Sequence, residues 1–371
     1  MKYIALKDIA KITMGQSPES SSYNEDGDGL PFYQGNADFG ELYPNERVWC
    51  NDPKKVAEPN DILISVRAPI GALNYAKDKC CIGRGLAAIT VEDDAERNYI
   101  FHLLNAKNAE LNKQGTGSTF KAIGKSVLEE LKVPQISQAE KQKCMKLMDL
   151  LESIIRERKL QIAAFDKLIK ARFVEMFGDI EETCNVGDYI KALIAGKSLA
   201  GEEECENKVL KTGAASFDFF DATQVKNLPL DYEPQEDHLV NKGDIVISRM
   251  NTAELTGAAA YVWDVSPKVY LPDRLWKAVL HEGCNPIFVW QMLIQPSTKE
   301  QIRRECSGTS GSMKNISKPG MLAIKVKKVP LRLQDEFAGF VKQVDKSKVA
   351  VQKALDETRL LFDSLMQQYF S

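Results

Sequence analysis

QAEKQKCMKLMDLLESIIRERKLQIAAFDKLIKARFVEMF, residues 138–177, contains neither Gly nor Pro. Pro134 stands before it and Gly178 follows it, as at helix borders. Within it Cys144, Met148, Leu151, Ile155, Arg158, Ile162, Phe165 and Ile169 recur at alternating steps of four and three. A 3.5-residue period held this long predicts a coiled-coil helix, because an ordinary globular helix ends after about 11–12 residues. A second such stretch runs from Gln334 to Phe370, with one Gly and no Pro. Its seam is Phe337, Val341, Val344, Lys348, Val351, Leu355, Thr358, Phe362, Leu365 and Tyr369. Arg158, Lys348 and Thr358 interrupt the two seams, and polar seam residues fix register at a cost in stability.

Working outward, each long stretch ends a segment that occurs twice. Asn60-Asp61-Ile62-Leu63-Ile64-Ser65 matches Gly243-Asp244-Ile245-Val246-Ile247-Ser248. GTGSTFKAIGKSVLEELKVP (115–134) matches GTSGSMKNISKPGMLAIKVKKVP (308–330), and Phe165-Asp166-Lys167-Leu168 matches Phe362-Asp363-Ser364-Leu365. A weaker echo joins Leu6-Lys7-Asp8-Ile9 to Val186-Gly187-Asp188-Tyr189. The order is the same in both halves, so the chain reads as domain, helix, related domain, helix. The expected boundaries are 1–135, 136–178, 179–330 and 331–371. The second helix needs cover for its apolar stripe, and the first offers a matching one, so the two are expected to pair antiparallel. Such a rod would span roughly 60 Å at 1.5 Å per residue. The globular parts read as α+β, strand-rich, with short apolar runs such as DILISVRAPIGALNYA and KVYLPDRLWKAVL between turn signals. DKCCIGRGLAAI reads as one strand, and Tyr99–Leu111 and Pro286–Leu293 as short helices. The order of strands is not in the sequence.

Composition narrows the function. The chain has 371 residues, 44% of them hydrophobic and 27% charged, with a formal charge of −3. These values suit two globular domains and exclude a disordered or fibrous chain. No apolar run reaches the ~18–20 residues of a membrane span, and the first fifteen residues lack a signal-peptide pattern. A cytoplasmic location is the expectation. Eight cysteines show no metal-ligand spacing and read as small buried or half-buried thiols.

No complete catalytic signature is present. Gly115-Thr116-Gly117 lacks the rest of a phosphate loop. Asn285-Pro286-Ile287-Phe288 lacks the second Pro of the adenine-methyltransferase motif, and Pro272-Asp273 lacks a following Glu-x-Lys. The expectation is a non-catalytic chain with no metal and no cofactor of its own. Two related but unlike heads on an antiparallel rod match a target with local two-fold symmetry, such as B-DNA with two different half-sites. Acidic residues outnumber basic ones in both globular parts, which argues against overall basicity but not against local patches. The duplicated loop supplies one: Thr116, Ser118, Thr119 and Lys121 in the first half, and Thr309, Ser310, Ser312, Lys314 and Asn315 in the second. Hydroxyls, Gly-exposed N–H groups and a Lys suit phosphate contact. Arg67, Arg84, Arg249 and Arg274 lie at or near expected strand ends, where a guanidinium can read guanine edges. The main rival reading is a coiled-coil scaffold presenting two protein-binding domains. A fused methyltransferase–nuclease is a further rival, disfavoured by the missing motifs.

Taken together, DILISVRAPIG then CIGRGLAAI, the run GTGSTFKAIGKSVLEELKVP leading into QISQAEKQ, and the helix end ARFVEMFGD resemble the specificity subunit of type I restriction–modification systems. The tail from Val329 to Phe370 resembles that family's second long helical region. The resemblance covers essentially the whole chain. It implies two target-recognition domains reading a bipartite, asymmetric double-stranded DNA target. The helices would act as a ruler and dock modification subunits, expected to number two. Those partners would carry S-adenosylmethionine and methylate adenine at N6, and restriction/translocase subunits would use ATP and Mg.

Overall fold

The computed structural model describes residues 2–116, 121–308 and 313–370. The chain forms two compact units, residues 1–160 with 352–371 and residues 161–351.

The first unit is organised around a four-stranded antiparallel sheet of β1 (Lys11–Met14), β2 (Ile62–Ser65), β3 (Leu73–Tyr75) and β4 (Leu86–Thr90), in the order β1-β4-β2-β3. The second unit has β5 (Ile190–Ala195), β6 (Ile245–Ser248), β7 (Ala259–Tyr261) and β8 (Leu275–Leu280), in the order β5-β8-β6-β7. First, fourth, second, third: the two sheets share one topology. β2 and β6 are central and buried along their whole length, which is why both read as continuous apolar runs. The motif before them also has one cause. Asn60 has φ 69° and Gly243 φ 97°, the left-handed region that Gly and Asn tolerate. Asp61 and Asp244 then close the turn, accepting hydrogen bonds from the backbone N–H of Glu58 (2.9 Å) and Asn241 (2.8 Å). Burial pushes both carboxyls above the usual carboxylate range.

The smaller features also recur. Lys2–Ala5 pairs antiparallel with Lys132–Gln135, as Thr183–Asn185 does with Lys325–Lys327. A 3-10 turn follows each first strand, at Leu6–Asp8 and Val186–Asp188, where the faint sequence echo lies. Leu30–Tyr33 pairs parallel with Cys80–Ile82, and Lys208–Leu210 with Val269–Tyr270. DKCCIGRGLAAI is therefore two strands in different sheets rather than one. Gly83 and Gly85 break it because a Cβ at Gly85 would meet the Gln34 carbonyl oxygen at 2.4 Å. The helix expected at Tyr99–Leu111 is two, α1 (Asp94–Ala106) and α2 (Asn108–Gln114), because Asp93 caps the N-terminus earlier and the chain turns at Lys107. A short α3 (Lys125–Glu129) precedes the long α4 (Gln138–Phe177). The second unit adds α5 (Pro286–Leu293), α6 (Pro296–Glu305) and α7 (Lys318–Ala323), before α8 (Leu331–Phe370). The methyltransferase-like Asn285 is a helix cap: its Oδ1 accepts from the N–H of Ile287 (3.0 Å) and Phe288 (3.4 Å).

In each unit a stretch of α4 lies antiparallel to a stretch of α8. In the first, Met148, Leu151, Leu355 and Thr358 are buried, and Ile155, Phe362 and Leu365 are half-buried. Arg158 Nη1 donates to the Ala354 carbonyl and to Thr358 Oγ1, so the polar interruptions of the two seams meet each other. In the second unit Val344 and Ile169 are buried, and Ile162, Phe165 and Val351 are half-buried. There Lys348 reaches Asp166 at 2.6 Å, and Phe337 packs edge-on against Phe173 and Phe177, each at 5.4 Å. α8 begins at Leu331, three residues ahead of the Pro-free stretch that opens at Gln334, and Pro330 supplies its first carbonyl to Leu333 and Gln334. All eight cysteines are free, buried or half-buried.

Candidate nucleic-acid interface

The central strand of each sheet ends in Ser65 or Ser248, and what happens beyond that point builds the candidate site. In the first unit Val66 donates its N–H to the Gly85 carbonyl (2.9 Å) and accepts from Ile123 (2.9 Å). Arg67 then bridges Ala122, and Ala68 N–H donates to the Lys121 carbonyl (3.0 Å). Thr116 and Ala122 exchange both backbone hydrogen bonds, at 3.0 and 2.9 Å. The duplicated loop is thus a hairpin whose stem is tied to the end of β2. Arg67, Thr116 and Lys121 are exposed at that stem, and Arg84 is exposed one residue before the Gly85 anchor. Ser17 Oγ accepts from the Arg84 N–H at 3.3 Å, a contact between distant residues that carried no local signal.

The second unit repeats the scheme. Arg249 donates its N–H to the Arg274 carbonyl (3.0 Å) and accepts from Ile316 (3.1 Å). Met250 and Asn251 pair with Asn315 and Lys314. Ser307 and Asn315 exchange both backbone bonds, at 2.9 and 3.0 Å. Lys314 Nζ donates to the Gly308 carbonyl (2.7 Å), and Thr256 Oγ1 donates to the Lys314 carbonyl (3.3 Å). Ser118, Thr119, Thr309, Ser310 and Ser312, named as candidates above, lie outside the described residues.

The scheme shows which residues correspond. By hydrogen bonding, Lys121 matches Lys314, Ala122 matches Asn315 and Thr116 matches Ser307. Arg249 matches Val66, not Arg67, whose place Met250 takes. The difference has a physical consequence. Arg67 is exposed, whereas Arg249 is half-buried with its guanidinium over the Trp276 ring, 5.8 Å from the centroid. Three buried polar atoms here have no hydrogen-bond partner: Arg249 Nε, Trp276 Nε1 and Asn315 Oδ1. Buried polar atoms are ordinarily hydrogen-bonded, so these three are groups that a water or a bound ligand would pair. Trp276 was not a candidate from sequence, since an aromatic in an apolar run reads as core.

Hydroxyl groups, cationic side chains and loop backbone suit contact with phosphate, and exposed arginines on rigid strand ends suit base edges. Among the described residues no His, Cys, Asp and Glu cluster is placed to hold a metal ion. None of their helices is long and apolar enough to cross a membrane.

Comparison with known proteins agrees with this organisation. Residues 1–164 match the type I restriction modification DNA specificity domain. The putative type I restriction enzyme MjaX specificity subunit of Methanocaldococcus jannaschii is 46% identical over 164 residues, 43% of this chain and 38% of that protein. The MjaVIII specificity subunit of the same organism is 25% identical over 271 residues, 67% of this chain and 63% of that protein. The chain therefore spans less than two thirds of the length of either relative. The crystal structure of a type I restriction–modification system S subunit from M. genitalium shares the fold across 100% of this chain and 96% of that one, with TM-score 0.59 and 16% identity. Residues 1–164 are thus similar to the DNA specificity domain of type I restriction enzymes, and the chain as a whole shares the fold of a type I restriction–modification S subunit.

Proposed function

We propose that this chain is the non-catalytic reading subunit of a type I restriction–modification complex, in which the two interface loops recognise two different halves of one DNA target. The observation that carries this reading is the recurrence of one construction, a hairpin stem bonded to the end of a central strand, with different side chains in each copy. Equal backbone scaffolds with unequal polar groups suit a bipartite, asymmetric sequence. Lys121 and Lys314 serve phosphate, while Arg67, Arg84, Arg249, Arg274 and Asn315 face bases or hold the side chains that do.

Under this proposal the domains are recognition regions at 1–135 and 179–330, with spacer helices at 136–178 and 331–371. The chain acts in the cytoplasm. Modification subunits, two per chain, bind S-adenosylmethionine and methylate adenine at N6, and restriction/translocase subunits consume ATP with Mg. The exposed apolar side chains of the long helices, Leu160 (65%) and Leu360 (70%) among them, are surface that such partners would cover. Partners would also supply phosphate contacts that a chain of formal charge −3 lacks.

Deleting the gene and sequencing the methylome of its host tests the reading. Loss of N6-methyladenine from one split motif is expected, and survival of every adenine motif would refute it. A gel shift with the assembled complex separates it from the protein-scaffold alternative, which predicts no DNA retardation. In the same complex, Lys121→Ala with Lys314→Ala should weaken binding to all sequences alike. Removing two phosphate contacts should reduce the slope of log affinity against log salt by about 1.8. An unchanged slope would remove both lysines from the interface.

A further inference from the structure

We infer that a cavity beside His102, in the first unit and away from the loop interface, binds the guanidinium of an arginine presented by a protein partner. The cavity is about 320 Å³ and is lined by Tyr75, Phe101, His102, Asp149 and Glu152, with Leu42 and Tyr43 also on its wall. That volume sits at the small end for ligand pockets and is ample for one side chain.

The chemistry of the wall is unfinished. His102 is 4% exposed, yet its Nδ1 has no hydrogen-bond partner. The nearest carboxylate oxygens are too far for hydrogen bonds: Glu152 Oε1 is 3.7 Å from Nδ1, and Asp149 Oδ1 is 3.9 Å from Nε2. Among the described residues neither carboxylate pairs with a Lys or Arg. The two arginines on the wall are engaged elsewhere, Arg97 with Asp94 at 2.7 Å and Arg156 with Glu41 at 3.5 Å. One turn of α4 therefore presents two carboxylates beside an unpartnered imidazole nitrogen.

All three groups accept hydrogen bonds when the imidazole is neutral, so the complement is a donor-only cation. Two features favour guanidinium over ammonium. The acceptors are three separate groups, with the carboxylate oxygens 3.9 and 3.7 Å from the two imidazole nitrogens, which a planar fork of five donors engages better than a point charge. Beside them Phe101 stacks on Tyr75, centroids 4.5 Å apart and 16° from parallel, a flat wall on which a guanidinium can lie. Leu42 (44% exposed) and Tyr43 (42%) at the cavity wall are the apolar and aromatic surroundings typical of a protein contact. Asp149 and Glu152 lie on α4, the helix to which the proposed function assigns the modification subunit. The source of the arginine rests on that reading, whereas the pocket itself does not.

Two measurements separate the pocket from its occupant. The chain has three histidines, so the spectrum of full-length protein carrying 13C-labelled histidine is assigned by the peak that His102→Gln removes. Titrating N-acetyl-arginine amide should move the His102 signal saturably, and N-acetyl-lysine amide should move it far less. Asp149→Asn with Glu152→Gln should abolish the response. No saturable shift, an equal response to both probes, or an unchanged response in the double variant would each overturn the pocket and leave a site that holds only water. Calorimetric titration of the modification subunit into the wild-type chain and the double variant then tests the source. Loss of a desolvated ion pair should weaken assembly on the order of tenfold or more. If arginine amide binds but assembly is unchanged, the partner assignment is wrong, and if the modification subunit binds neither chain, the proposed function fails instead.

Discussion

Phe337→Ala should destabilise the second unit by about 3–5 kcal/mol, the cost of truncating a fully enclosed aromatic ring. Phe337 is 0% exposed and lies 5.4 Å from both Phe173 and Phe177. Phe288 extends the cluster, 5.3 Å from Phe177, and Tyr189 lies 5.8 Å from Phe288. These rings join α4, α8 and α5, and α5 is tied to the sheet by Trp290, whose Nε1 donates to the Ala259 carbonyl at 2.9 Å. The ring therefore fastens the helix pair to the domain core. Nothing can move in to fill the space without disturbing three elements, which is why the cost belongs at the high end for a core truncation. Urea unfolding followed by tryptophan fluorescence is the suitable measurement, because Trp263, Trp276 and Trp290 all lie in this unit and only Trp49 in the other. The midpoint reported by fluorescence should fall, and Phe337→Leu should fall by much less. A midpoint that does not move for Phe337→Ala would mean that the aromatic cluster does not hold the helices to the domain.

The second large effect concerns helix length. Under the proposed function the long helices set the separation of the two reading sites, so lengthening them must change the target. Adding four residues to α4 after Ser153 would not do this cleanly. It would carry the seam about 40° past a full turn at 100° per residue and leave α8 unmatched. Arg158 would then lose Thr358 and the Ala354 carbonyl, leaving a guanidinium on an apolar seam. That variant should lose methylation at every motif it now directs. A whole heptad inserted in both helices, after Ser153 and after Leu360, preserves the seam. It should lengthen the pair by roughly 10.5 Å. That distance corresponds to about three base pairs of B-DNA. The methylome should show the same two half-motifs with a longer unread spacer. An unaltered spacer in cells carrying the double heptad insertion would show that helix length does not measure the target.

Much of the fold could be read before any coordinates, and the particulars show why. α4 occupies the stretch framed by Pro134 and Gly178, because helix periodicity, breakers and caps act over a few residues. The motif shared by Asn60-Asp61 and Gly243-Asp244 was visible because a left-handed turn admits so few residue types. Strand order was not visible, since β1 pairs with β4 across more than seventy residues and nothing local encodes that choice. DKCCIGRGLAAI misled for the same reason: its two halves are both apolar, and only their partners show that they belong to different sheets.

The candidate site divides in the same way. The internal repeat located the duplicated loop in both halves, and Lys121 and Lys314 do correspond. The pairing of the arginines was invisible, because a one-residue displacement along a strand end reverses which side chain faces solvent. It leaves Arg67 exposed, while Arg249 stacks on Trp276. The cavity at His102 had no signal at all, being assembled from α1, α4 and β3. Local periodicity and turn chemistry were thus sufficient to establish two related domains with long helices, because those forces act between near neighbours in the chain. Which polar groups meet, which stay unpaired and which face water was decided only by long-range packing, where a side chain's surroundings come from residues that the sequence keeps far apart.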